Sequence, residues 1–257
     1  MPTKLLPLQI LILILIFSCS LISAQIPKHV FNEITAEAYN PKNFTVSDAS
    51  IKQRQGIYHF GESEGEWDFV IIAHNDSLIV QIWNGTWGTD QVTKKEAWLG
   101  LCRTFNNVKV EGNKIYFGKF TGLFTTYKEN KKLTKALLLF SDPIGDRNYG
   151  KDSAEVGHLN NLSTIDNFYK LGGDKNYYKL SVKVQPESFF AGKTKQELKT
   201  MRNSIYARYG LIFQPGGEME TYFRKQDWYH AFKKDVSNCL TEIEKRNIET
   251  ISRLEQM

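Results

Sequence analysis

A chain of 257 residues, 41% hydrophobic and 24% charged, has the balance of an ordinary globular protein and room for one large or two small domains. Its formal charge of +5 comes from interspersed acidic and basic residues. The pairs Lys94-Lys95, Lys131-Lys132 and Lys233-Lys234 do not make the basic stripe that a nucleic acid requires, so nucleic acid is excluded as a partner.

Met1 to Ala24 reads as an export signal. Lys4 supplies the positive start, Ile10 to Phe17 is an unbroken apolar run, and Ser23-Ala24 closes it with small residues. Three fates follow: cleavage after Ala24, lipid attachment at Cys19, or retention as an anchor. Ile16-Phe17-Ser18-Cys19 resembles a bacterial lipobox, although Phe17 is bulky for that position. Each fate places the folded part outside the cytoplasm, and a membrane is met only through this anchor or lipid. Residues 25–55 form a lead segment. Once Cys19 is removed, Cys102 and Cys239 remain; they stand in different halves and read as two separate buried thiols, with a disulfide as the alternative.

Residues 56–184 read as an antiparallel β domain. Short runs rich in Val, Ile and aromatic residues recur, at Gly56–Phe60, Trp67–Ala73, Leu78–Trp83, Trp98–Phe105, Val108–Val110, Ile115–Phe120, Leu123–Tyr127 and Ala136–Phe140. Asn84-Gly85 is expected to make a tight hairpin, because both residues tolerate positive φ. Such a meander forms a barrel or a sandwich. Gly56-Ile57-Tyr58 resembles, over three residues, the Gly-x-Trp opening of lipocalin-like barrels, which implies either a filled interior or one holding a small apolar ligand. The polar run Ser141–Gly150 is turn chemistry, since Asp142, Asp146 and Asp152 lack the spacing of a calcium loop. Leu159, Leu162, Ile165 and Phe168 suggest a short helix, followed by a last strand at Tyr177–Val184.

Residues 187–256 read as a small all-α domain, which makes the chain α+β. Thr194 and Glu197 form a capping box before the stripe Leu198, Met201, Ile205 and Tyr209, and Gly210 stops that helix. Gln214-Pro215-Gly216-Gly217 turns the chain into a second helix from Glu218 to Arg224. Thr241 and Glu244 form another capping box, opening a last helix with Ile248, Ile251 and Leu254 on one face.

Arg202-Asn203, Ile205-Tyr206-Ala207-Arg208-Tyr209-Gly210, Phe213, Tyr222-Phe223, Trp228-Tyr229, Leu240-Thr241, Glu244 and Asn247-Ile248 together resemble the YARHG domain, a module of exported bacterial proteins. The resemblance covers about Glu187 to Gln256 and implies an envelope or extracellular setting without an activity. Tyr209 stands where the motif has histidine, on the apolar stripe, where it is expected to pack. Arg208 is either a buried structural arginine or an anchor for a carboxylate or phosphate. The candidate binding residues are Arg202, Tyr206, Arg208, Tyr209, Trp228 and Tyr229.

His29, His59, His74, His158 and His230 show no metal-ligand spacing, and no nucleophile elbow, P-loop or dinucleotide fingerprint occurs, so neither a cofactor nor a metal is expected. Three functions follow. The first is a non-catalytic exported protein that binds an envelope macromolecule or cell-wall component, with Trp228 and Tyr229 on an exposed patch. The second is a carrier of a small apolar ligand. The third is a secreted hydrolase, which would need His59, His74 or His158 to meet a carboxylate in a cleft.

Overall fold

The computed structural model describes residues 44–46, 50–61, 66–129, 132–144, 147–148, 154–160 and 164–257. The export signal with Cys19 lies outside the described residues, as do Asp146 and Asp152.

The strands are β1 (Phe44–Val46), β2 (Gly56–Phe60), β3 (Trp67–His74), β4 (Ser77–Thr89), β5 (Glu96–Glu111), β6 (Lys114–Phe117), β7 (Phe120–Glu129), β8 (Lys132–Leu139), the short ribbon β9 (Ser141–Asp142) and β10 (Arg147–Asn148), and β11 (Glu155–Leu159). β2 to β8 run as an antiparallel meander. β11 lies between β8 and β2 and closes the sheet into an eight-stranded barrel, while β1 adds to β7. Of the two expected architectures, the chain forms the barrel.

Period-two alternation explains which side chains fill it. Tyr58 and Phe60, Trp67, Phe69 and Ile71, Leu78, Val80 and Ile82, Ile115 and Phe117, Phe120 and Phe124, and Leu137 and Leu139 form one buried interior cluster. Phe60 stacks on Trp67 at 4.3 Å, and Phe69 meets Phe117 edge-on at 5.0 Å. A small barrel filled in this way is a packed core. Gly157 lets Phe60 in, because a Cβ there would lie 2.1 Å from the ring. Gly157→Ala is therefore expected to overpack the interior and cost about 1–3 kcal/mol, read as a lower urea midpoint. An unchanged midpoint would mean that Phe60 has room to move.

The intervening residues Ile57, Val70, Ile72 and Ile79 point outward, yet are buried as well, against Ile165, Tyr169 and Ile243. These contacts come from α1 (Ile165–Leu171) and from α5 (Glu242–Gln256); α2 (Lys179–Val182), α3 (Lys195–Arg208) and α4 (Glu218–Phe223) complete the helices. Burial on both faces is why Phe69-Val70-Ile71-Ile72 reads as an unbroken apolar run. None of the described helices is long and apolar enough to cross a membrane.

Three local expectations are corrected. Asn84-Gly85 makes no hairpin: both stay in β4, paired with Leu101 and Gly100, and the turn falls at Asp90–Lys95, where Lys94 takes φ 58°. The runs Trp98–Phe105 and Val108–Val110 are one strand interrupted by a bulge, since Leu78 faces Val108 while Val80 faces Phe105. Tyr177–Val184 is a turn and the short α2, not a strand, because Asn247 of α5 takes up its carbonyls. Asn247 Nδ2 donates to Leu180 O at 2.7 Å and Lys183 O at 2.9 Å. The barrel accordingly ends at Leu159, and the helical part begins at Ile165. Both capping boxes and the Gly210 stop (φ 79°) form as expected.

Candidate functional site

Gln81 is the one polar residue in the run Leu78–Ile82, and it points outward from β4 into the helices with no exposed surface. Its Nε2 lies 2.8 Å from Thr104 Oγ1, 2.9 Å from Tyr209 Oη and 2.9 Å from Cys239 O. With two N–H groups it serves two of these acceptors at a time. Its Oε1 accepts from Trp83 Nε1 at 3.2 Å and from the Tyr169 hydroxyl. One side chain thus ties β4 to β5, to α1, to the end of α3 and to the segment before α5.

Tyr209 continues the network. Its ring stacks on Trp83 at 5.4 Å, and its hydroxyl donates to the Glu244 carboxylate at 2.8–2.9 Å. Glu244 also accepts from Thr241 N at 2.9 Å and Thr241 Oγ1 at 3.1 Å, so the helix cap and the barrel network share one carboxylate. Glu244 is fully buried, and burial raises its pKa despite the donors around it. Burial and the neighbouring Glu244 likewise push the Tyr209 phenol well up.

The β4–β5 turn makes a second joint. Asp90 Oδ1 accepts from Val92 N at 2.8 Å and Thr93 N at 2.7 Å, while Oδ2 accepts from Ala231 N at 3.1 Å. Burial opposes its charge, but these backbone N–H groups hold its pKa below the usual value. Gln91 N donates to Ala231 O at 2.7 Å. The β5 bulge makes a third. It aims Asn106 at α5, where its Oδ1 accepts from Glu242 N at 2.8 Å and its Nδ2 donates to Leu240 O at 3.2 Å.

Beside these joints a cleft of about 520 Å³ opens between barrel and helices. Gly85 and Gly100 face each other across β4 and β5 in its floor, and the missing Cβ of Gly85 lets the Trp98 indole lie against the backbone, 2.1 Å from where a Cβ would stand. Trp83, Trp98 and Trp228 line it, together with Phe168, Phe232 and Arg208. Trp98 is 46% exposed and meets Trp87, 63% exposed, edge-on at 5.6 Å. Arg208 itself is buried: it donates to Tyr169 O, sits 5.2 Å from the Tyr169 ring centre, and leaves its Nε without a hydrogen-bond partner.

Histidine and carboxylate meet at one end of the cleft. His59 Nδ1 lies 3.0 Å from Asp68 Oδ1, and Nε2 lies 3.1 Å from Glu66 Oε2. His59 therefore meets two carboxylates within the cleft lining, the arrangement that the hydrolase reading asks for, with the Glu66 side chain 55% exposed. His74 sits at the β3–β4 turn beside Asn75, and His158 Nδ1 lies 3.1 Å from the Tyr127 hydroxyl. Among the described residues, no three His, Cys, Asp or Glu side chains converge as a metal site.

Of the expected binding residues, Arg208 and Trp228 line the cleft. Tyr229 does not belong to an exposed patch: it is buried, its hydroxyl donates to Leu211 O at 2.6 Å, and burial pushes its phenol up to about 12. Tyr209 is buried in the joint, in the packing role expected of it. Arg202 holds Glu255 with two bonds, of 2.7 and 2.9 Å, and Tyr206 lies half-buried beside it. Gln81, Trp83, Trp98 and Asp90 were not among the expected site residues. Gln81 alone carries a visible signal, as the only polar residue in an apolar strand run.

Residues 176–256 match the YARHG domain. The match starts upstream of Glu187 and so takes in α2, in keeping with the hold of Asn247 on that segment. No curated protein and no solved structure is significantly similar to the chain. The YARHG module includes Arg208 and Trp228 on one wall of the cleft and Tyr209, Glu244 and Cys239 in the joint; the facing wall belongs to the barrel.

Proposed function

We propose that the protein is a non-catalytic binding protein of the cell envelope, which takes part of an envelope macromolecule or cell-wall component into the cleft between barrel and YARHG module. The observation that carries this reading is the set of tryptophans, Trp83, Trp98 and Trp228, that line the cleft, with Trp98 laid over Gly85 of its floor. Aromatic faces beside a buried arginine are groups that supply binding energy on desolvation. The segment Met1 to Ala24 supports export, and the YARHG match supports an envelope setting. The rings inside the barrel speak against a ligand held there.

The test is a titration of intrinsic tryptophan emission with fragmented envelope polysaccharide from the host. Wild-type protein is expected to show a saturable change. Trp228→Ala is expected to weaken it by about thirtyfold, as loss of about 2 kcal/mol from an anchoring aromatic would do. Equal binding by wild type, Trp228→Ala and Trp98→Ala would move the site away from the cleft. Turnover of the polysaccharide, abolished by His59→Ala, would restore the hydrolase.

A further inference from the structure

Cys102 and Cys239, which the sequence places in different halves, meet at the barrel–module joint. Cys102 faces outward from β5 opposite Trp83, and Cys239 ends a single 3-10 turn (Ser237–Cys239) just before α5. Both are buried and unbridged. The Cys239 thiol lies 3.2 Å from the Cys102 carbonyl, and both residues belong to one buried cluster at the joint. Lys233 Nζ lies 3.4 Å from Cys239 Sγ. We propose that Cys102 and Cys239 form an intramolecular disulfide site, which locks the YARHG module onto the barrel by exchange with an external disulfide.

The surroundings divide the labour between the two sulfurs. The Cys102 contact and the ammonium of Lys233 bring Cys239 down to about 7 against the opposing effect of burial, whereas burial pushes Cys102 well up. In the assembled joint Cys239, beside Lys233, is the more readily ionised of the two thiols, and in the proposed exchange it attacks first. It attacks one sulfur of a small-molecule disulfide such as glutathione disulfide, forming a mixed disulfide and releasing one thiolate. Cys102 then gives up its proton to solvent or the released thiolate and attacks Cys239 Sγ, expelling the second thiolate. Two protein thiols are oxidised, one external disulfide is reduced to two thiols, and the two protons leave with them. Because both sulfurs are buried, the exchange belongs to folding or to a transient opening of the joint. Trp83, opposite Cys102 in the sheet, also lines the cleft, so the bond would hold the cleft wall in register. This inference rests on the joint alone and is independent of any ligand.

The full chain would be refolded with reduced and oxidised glutathione, alkylated under denaturing conditions, and weighed. The expected product has lost about 2 Da, takes up no alkyl group at Cys102 or Cys239, and yields a cross-linked peptide pair joining them. Its urea midpoint is expected above that of the same protein after reduction, a comparison that needs no variant. Quantitative alkylation of both cysteines after refolding would overturn the proposal. So would a cross-linked protein with a lower midpoint than the reduced one, since the bond would then not fit the native joint.

Discussion

Replacing Glu244 by alanine is expected to destabilise the protein by about 3–5 kcal/mol, because one substitution removes a helix cap and opens a buried network. Thr241 loses the acceptor for its N–H and hydroxyl, and the Tyr209 hydroxyl loses its acceptor inside the joint. Glu244→Gln keeps the acceptor oxygen without the charge and is expected to cost much less. The pH dependence has a definite sign. Burial raises the folded-state pKa of Glu244 above its ordinary 4.5, so the folded protein holds this proton more tightly than the unfolded chain. That contribution is fully present below about 4.5, the ordinary carboxylate value, and is lost as pH rises through the raised pKa. Urea midpoints of wild type and Glu244→Gln across this window provide the check. Wild type is expected to lose stability relative to Glu244→Gln as pH rises, and a constant difference would show that Glu244 titrates normally in the fold.

Gln81→Leu is expected to cost a similar amount, about 3–5 kcal/mol, through groups left stranded at the joint. Trp83 Nε1 and the Tyr169 hydroxyl lose their acceptor, and Tyr209 and Cys239 O lose a donor. Leucine approximates the volume of glutamine, so the effect isolates polarity from packing. The barrel interior lies on the other face of β4 and is untouched. The loss is therefore expected in the docking of the YARHG module: tryptophan emission, sensitive to Trp83 and Trp228, should shift at lower urea than the far-UV signal of the barrel strands. Coincident transitions with a cost below about 1 kcal/mol would mean that the apolar contacts around Ile57, Val70 and Ile165 hold the module without the network.

The periodic and capped parts of the chain were legible residue by residue. Runs rich in Val, Ile and aromatic residues at Leu78–Trp83 and Ile115–Phe120 mark strands, and Thr194-x-x-Glu197 and Thr241-x-x-Glu244 mark helix starts, because both signals arise within a few residues of backbone geometry. The ordered aromatic and Arg-Tyr series was likewise sufficient to point to the YARHG module. The site was not legible in this way, since it is built from pairs far apart in the chain. Alternation shows that Gln81 and Cys102 point out of the barrel, but not that Tyr209 and Cys239 cover them. Asn84-Gly85 has the chemistry of a turn, yet long pairing with Leu101 and Gly100 outweighs that local preference. Tyr177–Val184 has the residues of a strand, yet Asn247 holds it as a turn and helix. Local composition determined which elements the chain could make, and the burial of barrel and module against each other decided which polar side chains had to meet, because no buried donor or acceptor is cheaply left alone.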